Sequence, residues 1–369
     1  MTEESRVLST RQIILLILGF TIGGGILVLP RSVAKILDAS GWFLLLGAGA
    51  LFIIGAWLTA RLAELFPEET VIEFSRRLFG KTLGFITGML FTLFFFFFIP
   101  LELSILQEVV NISILDGAPS WFVSGSALLM MAFAASRDID HLAMVNEILI
   151  EVAITVGLFV AILAWQHFDP LHLLPLVSVE RMDLEVFQKE LGSILFFAGY
   201  PLVAMILPFV KKPQTACKAT VWAMVLVLLL NTFFIITVFG VFGYKETINL
   251  AWSGLELAKS VTIEAVILER LDLVLIISWL SAIFTTGALA YFFTVSGLSR
   301  LLGVRNPALI TWALAPVIYY ISASQLNYFV WQNKGFFLII FVLLVGMILP
   351  LLLYLVAKIR VRQGRIEKS

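Results

Sequence analysis

Ten runs of apolar residues divide this chain, at 12–35, 41–63, 84–112, 121–136, 144–166, 190–211, 217–243, 271–299, 307–324 and 333–357. A helix needs about 20 apolar residues to cross the hydrocarbon of a bilayer. Each run is that long or close to it, 121–136 being short and 84–112 long. In lipid the backbone can pair its N–H and C=O groups only within helices or a closed barrel. The chain is therefore expected to be an all-α integral membrane protein of ten transmembrane helices. It forms a single transmembrane domain over 1–369, ending in a short basic tail at 358–369. Composition agrees, with 60% of residues apolar and 14% charged, against about 25% charged in a soluble domain.

The loops orient these spans. With the N-terminus in the cytoplasm, 17 of the 25 Lys and Arg lie inside: Arg6, Arg11, Arg61, Arg76, Arg77, Lys81, Arg137, Lys211, Lys212, Lys218, Arg300, Arg305 and five from Lys358 onward. That asymmetry fits ten spans with both termini cytoplasmic. No small-residue cleavage site follows the first apolar run, so span 1 is expected to be its own insertion signal. Residues 66–84, "FPEETVIEFSRRLFGKTLG", predict a short amphipathic helix on the inner face before span 3. Pro100 predicts a bend within span 3. The longer outer links are 167–189 and 244–270. The second includes "LELAKSVTIEAVILERLD", which can form an amphipathic helix over the outer mouth.

Within span 1 the sequence turns against its own helix. "FTIGGGILVLP", Phe20–Pro30, places Gly23, Gly24 and Gly25 in a row and closes with Pro30. Glycine favours unwinding, and proline cannot donate to the preceding turn. Non-helical backbone at membrane depth survives only where protein, water or a ligand satisfies it. Close helix packing is the bland alternative, because small residues line membrane helix interfaces. Span 6, "ELGSILFFAGYPLVAMILPFV", repeats the pattern with Gly199-Tyr200-Pro201 and Pro208. Spans 1 and 6 open two five-span halves, 12–166 and 190–357. Discontinuous helices in corresponding positions point to a five-plus-five inverted repeat with a ligand site at the midplane. Half-helix ends offer N–H donors to a carboxylate and carbonyls to a cation, which suits a small zwitterion.

Taken together, "STRQIILLILGFTIGGGILVLPRSVA" and "FFAGYPLVAMILPF" resemble the B-type, permease-like subunit of spore germinant receptors, within the amino acid–polyamine–organocation superfamily. The resemblance extends over essentially the whole chain. It implies an amino-acid-transporter-like fold with spans 1 and 6 unwound around the ligand, in the bacterial cell membrane or spore inner membrane. It also implies partner subunits, an A-type membrane protein and a C-type lipoprotein, and a germinant that is often an amino acid. The expected ligand-binding set is Gly23, Gly24, Gly25, Phe197, Gly199 and Tyr200, with Thr285 nearby.

Other polar residues fall within the spans. Glu102, in the outward half of span 3, is a candidate gate, proton carrier or ammonium contact, since intramembrane carboxylates face the bundle interior or water. Glu108 lies nearer the outer surface. Glu147 and Glu151 share one face of span 5 and call for a basic partner from an inner loop, in a structural or inner-gate role. Thr285 and Thr286 in "SWLSAIFTTGALAYFF" of span 8 are a possible cation position, with bonding to their own helix as the alternative. Asn231 and Tyr291 read as packing hydrogen bonds. Phe94–Phe98 wraps its helix and is expected to face lipid or neighbouring spans.

Enzymology is not expected. There is no phosphate loop, nucleophile elbow or zinc spacing, and no cofactor or metal is implied. Cys217 stands alone, so no intramolecular disulfide forms. The basic tail suits anionic membrane lipid rather than nucleic acid. The leading expectation is a receptor subunit that binds a small amino acid and signals to partners. A proton- or sodium-coupled amino-acid permease is the alternative, and a scaffold for a channel-forming partner a third.

Overall fold

A computed structural model of the protein describes residues 7–114, 117–175, 183–261, 271–323 and 335–362. Helix α1 (Thr10–Ile22) starts at a capping box in which Ser9 Oγ accepts from the Gln12 N–H and Gln12 Oε1 accepts from the Ser9 N–H. The chain leaves the α-helix at Gly23, makes a 3₁₀ turn over Gly24–Leu27, and resumes as α2 (Leu29–Leu37). Pro30 lies in the first turn of α2, where its missing N–H costs nothing. The expected break in span 1 is therefore present, with the proline restarting the helix.

Next come α3 (Gly41–Glu64), α4 (Val71–Ser113), α5 (Ser120–Ala135) and α6 (Ile139–Ala164). Within α4, Gly80 has φ 81°, a left-handed value that favours glycine, and it separates the charged Val71–Phe79 turns from the span proper. This is the amphipathic segment anticipated before span 3. At Pro100 the α4 backbone keeps helical dihedrals, and the Ser104 hydroxyl donates to the Pro100 carbonyl. Span 6 is more fragmented than one break. After α7 (Leu184–Glu190) it runs through 3₁₀ segments Leu191–Phe197 and Tyr200–Leu202, a single α-turn α8 (Val203–Ile206), and a further 3₁₀ turn Leu207–Phe209.

The remaining elements are α9 (Ala216–Thr247), α10 (Ser253–Ser260), α11 (Leu271–Leu302), α12 (Pro307–Ala323), α13 (Gly335–Leu343) and α14 (Leu349–Arg362). A π-turn, Leu344–Ile348, joins α13 to α14. Six described segments are long and apolar enough to cross a membrane, and four shorter apolar helices accompany them, so this is a multi-pass membrane protein. Residues 176–182 and 262–270 of the two outer links, and the tail from 363, fall outside the described residues.

Broken α1 lies at the centre, packed against α6, α9 and α11, while α11 runs along α4 and α3 along α9. Ile13, Leu16 and Ile17 of α1 are fully buried. Three rings of the phenylalanine run, Phe94, Phe95 and Phe98, surround Phe20 just before the break, with centroids 4.9–6.5 Å away. Basic side chains tie one end of the bundle together. Arg300 pairs with Glu73, Arg76 donates to the Leu301 carbonyl, and Arg360 donates to the Arg77 carbonyl. At the same end the Val7 and Leu8 N–H groups donate to the Phe209 carbonyl and Lys211 N–H to the Leu8 carbonyl, stitching the entry of span 1 to the exit of span 6.

Candidate functional site

Unwinding span 1 exposes backbone groups that must find partners, and they find them in side chains from distant spans. The Gly24 N–H donates to the Glu102 carboxyl of α4, at 3.1 Å to Oε2 and 3.3 Å to Oε1. The Gly23 carbonyl accepts from Trp279 Nε1 of α11 at 2.9 Å. Thr286, also on α11, donates to the Gly19 carbonyl at 2.7 Å and its own Ala282 carbonyl at 3.1 Å. Ser253, at the start of α10, donates to the Leu27 carbonyl at 3.1 Å. The Gly25 carbonyl is taken within the turn by the Val28 N–H. Lower on α1, Asn146 Nδ2 donates to the Leu15 carbonyl at 2.8 Å.

The glycines make these approaches possible. A Cβ on Gly23 would lie 2.4 Å from Thr286 Oγ1 and 2.8 Å from Glu102 Oε1. One on Gly24 would lie 2.4 Å from Ile105 Cδ1 and 3.2 Å from Glu102 Oε2. Thr286, Ile105 and Glu102 together fill the space that side chains at 23 and 24 would occupy, and Glu102 alone borders both positions. It is 0% exposed, and among the described residues no basic side chain pairs with it. Among the described residues its hydrogen-bond donor is the Gly24 N–H.

The expected site residues separate into groups. Gly23, Gly24, Glu102 and Thr286 converge on the break, and Gly199 of span 6 joins them from the side. A Cβ on Gly199 would meet Thr21 Oγ1 at 2.1 Å and the Ile17 carbonyl at 3.0 Å, so spans 1 and 6 touch here with no room to spare. Gly25 is buried within the 3₁₀ turn. Phe197 stacks on Phe52 of α3, centroids 6.2 Å apart. The Tyr200 hydroxyl donates to the Gly346 carbonyl in the π-turn at 2.9 Å, facing span 10 rather than the break. Thr285 bonds back to the Ala282 carbonyl and lines a cavity of about 670 Å³ between α5, α6 and α11. Asn231 and Tyr291 bond to the Val227 and Thr311 carbonyls, as packing groups do.

Ion pairs hold both halves of span 1. Arg11 bridges Glu147, at 3.0 Å, and Glu151, so the basic partner comes from the first turn of span 1 itself. At the other end Lys35 of α2 pairs with buried Glu190 at 2.7 Å, linking span 1 to the start of span 6. Between these clamps a cavity of only about 50 Å³ adjoins the break, lined by Ile22, Leu27, Ile154, Phe234 and Trp279. Of the cavities lined by described residues, this small one is what adjoins the break.

Sequence reasoning missed Trp279, Ser253 and Asn146. Trp279 and Asn146 carried a faint signal, as polar groups within apolar runs. Ser253 carried none, because its role depends on α10 folding over the break.

A buried, discontinuous central helix in a multi-pass all-α bundle defines the class of fold to which this membrane protein belongs. The crystal structure of MhsT in complex with L-phenylalanine shares the fold, at TM-score 0.68 and 13% identity, over 94% of this chain and 98% of MhsT. Residues 7–329 match the family described as spore germination protein, and the chain belongs to that family. Spore germination protein YndE of Bacillus subtilis (strain 168) is 27% identical, over 89% of this chain and 90% of its own length. Spore germination protein GerLB of Bacillus cereus is 24% identical, over 97% and 96%.

Proposed function

We propose that this protein is the permease-like membrane subunit of a spore germinant receptor, binding a small amino acid at the break of spans 1 and 6. One observation carries the reading. At the centre of an apolar bundle, the chain unwinds at Gly23–Leu27 and gathers a carboxyl, an indole N–H and two hydroxyls around the exposed backbone. A polar cluster at that depth is costly unless it serves a ligand or a moving part. Family membership supplies the germination context, and MhsT supplies a precedent for an amino acid bound by this fold.

In this reading the chain spans the membrane ten times as a five-plus-five inverted repeat, with both termini on the basic face. Ligand binding shifts the half-helices of spans 1 and 6, and the shift passes to the A-type and C-type partner subunits. The contacts that would carry it are the Arg11–Glu147/Glu151 and Lys35–Glu190 pairs. The deciding experiment is a thermal-shift panel of the detergent-solubilised protein against the twenty amino acids. A saturable, stereospecific rise supports the site, since a ligand that prefers the folded state stabilises it. A flat response across the panel removes the amino-acid reading for the isolated subunit. The transporter fold also favours a second reading, a coupled amino-acid permease. Concentrative uptake into proteoliposomes by the isolated protein would select it over the receptor.

A further inference from the structure

Glu102 is the acidic side chain that reaches the break of span 1. Its carboxyl lies against Gly23 and Gly24 and accepts from the Gly24 N–H. The neighbouring cavity, about 50 Å³, compares with about 30 Å³ for one water in the liquid. Among the described residues this space is too small for an amino acid, which would make room there by displacing a group. The Gly23 carbonyl, an obvious acceptor for an ammonium, is already taken by Trp279. Thr286 is anchored by two carbonyls and Ser253 lies on another helix, whereas Glu102 hangs from one backbone donor and has a flexible stem. Among the described residues no cation pairs with it, so a ligand ammonium would be the group against which this buried carboxyl ionises.

We infer that Glu102 is an internal stand-in for the ligand's carboxylate. On binding, the amino acid's carboxylate takes the Gly24 N–H, and the displaced Glu102 carboxylate turns to receive the ammonium. This rests on the amino-acid reading above and adds a requirement: the ligand must bring both groups. A carboxylate alone would evict Glu102 with nothing to receive it. An amine alone would leave Glu102 in place.

Two variants test the exchange. Glu102→Ala vacates the space beside the Gly24 N–H, and sodium propionate is the probe that refills it. Propionate is expected to raise the melting temperature of Glu102→Ala well above its effect on the wild type, against a sodium chloride control. Glu102→Gln keeps the volume and removes the charge. For the amino acid giving the largest shift in the panel, this variant is expected to weaken binding by about tenfold or more, as for a buried charge pair losing one partner. Binding of the N-acetyl derivative, which keeps the carboxylate but has no ammonium, is expected to stay the same or tighten. Equal weakening of both probes overturns the exchange, as does a propionate effect no larger in Glu102→Ala than in wild type. If Glu102→Ala does not fold, the Glu102→Gln comparison decides alone. A flat amino-acid panel with propionate rescue intact removes the amino-acid reading and leaves the exchangeable carboxylate site standing.

Discussion

Adding one carbon to the break tests how it is held. In Gly23→Ala the new Cβ falls 2.4 Å from Thr286 Oγ1 and 2.8 Å from Glu102 Oε1, closer than non-bonded atoms approach. Thr286 must move off the Gly19 carbonyl, and Glu102 must loosen from the Gly24 N–H. Overpacking of this kind costs about 1–3 kcal/mol, and a buried group left unpaired costs about 1–3 kcal/mol more. Thr286→Ala alone loses its bond to Gly19, at about 1–3 kcal/mol, but clears the nearer contact. The double variant should therefore be more stable than the two single effects predict, by about 1–2 kcal/mol, within the range for residues in contact. Equilibrium unfolding of all four proteins in mixed micelles measures that coupling. Additivity within about 0.5 kcal/mol would refute the claim that Gly23 exists to admit Thr286.

Trp279→Phe removes the donor to the Gly23 carbonyl while keeping an aromatic ring, and should cost about 1–3 kcal/mol in the same unfolding assay. Unchanged stability would show that the carbonyl has another partner. Tyr200→Phe loses the bond to the Gly346 carbonyl, which Thr59 also reaches at 3.3 Å, so about 1 kcal/mol of stability should go while affinity for the panel's best ligand stays put. A selective loss of affinity would move the hydroxyl into the site. The Arg11 side chain is 65% exposed, so Arg11→Ala should cost less than about 1 kcal/mol, and less again at high salt. Its expected effect is on opening: a cysteine placed on the buried face of α1 should label faster with a water-soluble maleimide. Unaltered labelling would make the Arg11 cluster a surface decoration.

How much was legible beforehand depended on distance along the chain. The apolar runs named the helices nearly to their ends, because membrane crossing is a property of some 20 consecutive residues. Gly23–Gly25 with Pro30, and Gly199-Tyr200-Pro201, named the interruptions, because glycine and proline act on their own backbone. The charged turns before Gly80 were legible for the same reason. Side-chain direction was not. Thr285 and Thr286 are neighbours in sequence, yet only Thr286 reaches span 1, since adjacent residues on a helix point about 100° apart. Tyr200 stands at the interruption of span 6 but turns its hydroxyl to span 10.

By itself, then, the sequence determined that this chain lives in a bilayer, where its helices lie, and where two of them fail. Tertiary structure alone decided what fills the failure. Glu102 comes to Gly24 across 78 residues, and Thr286 to Gly19 across 267. A broken helix advertises unpaired backbone locally, but the groups that answer it are chosen by packing, and packing has no address in a one-dimensional pattern.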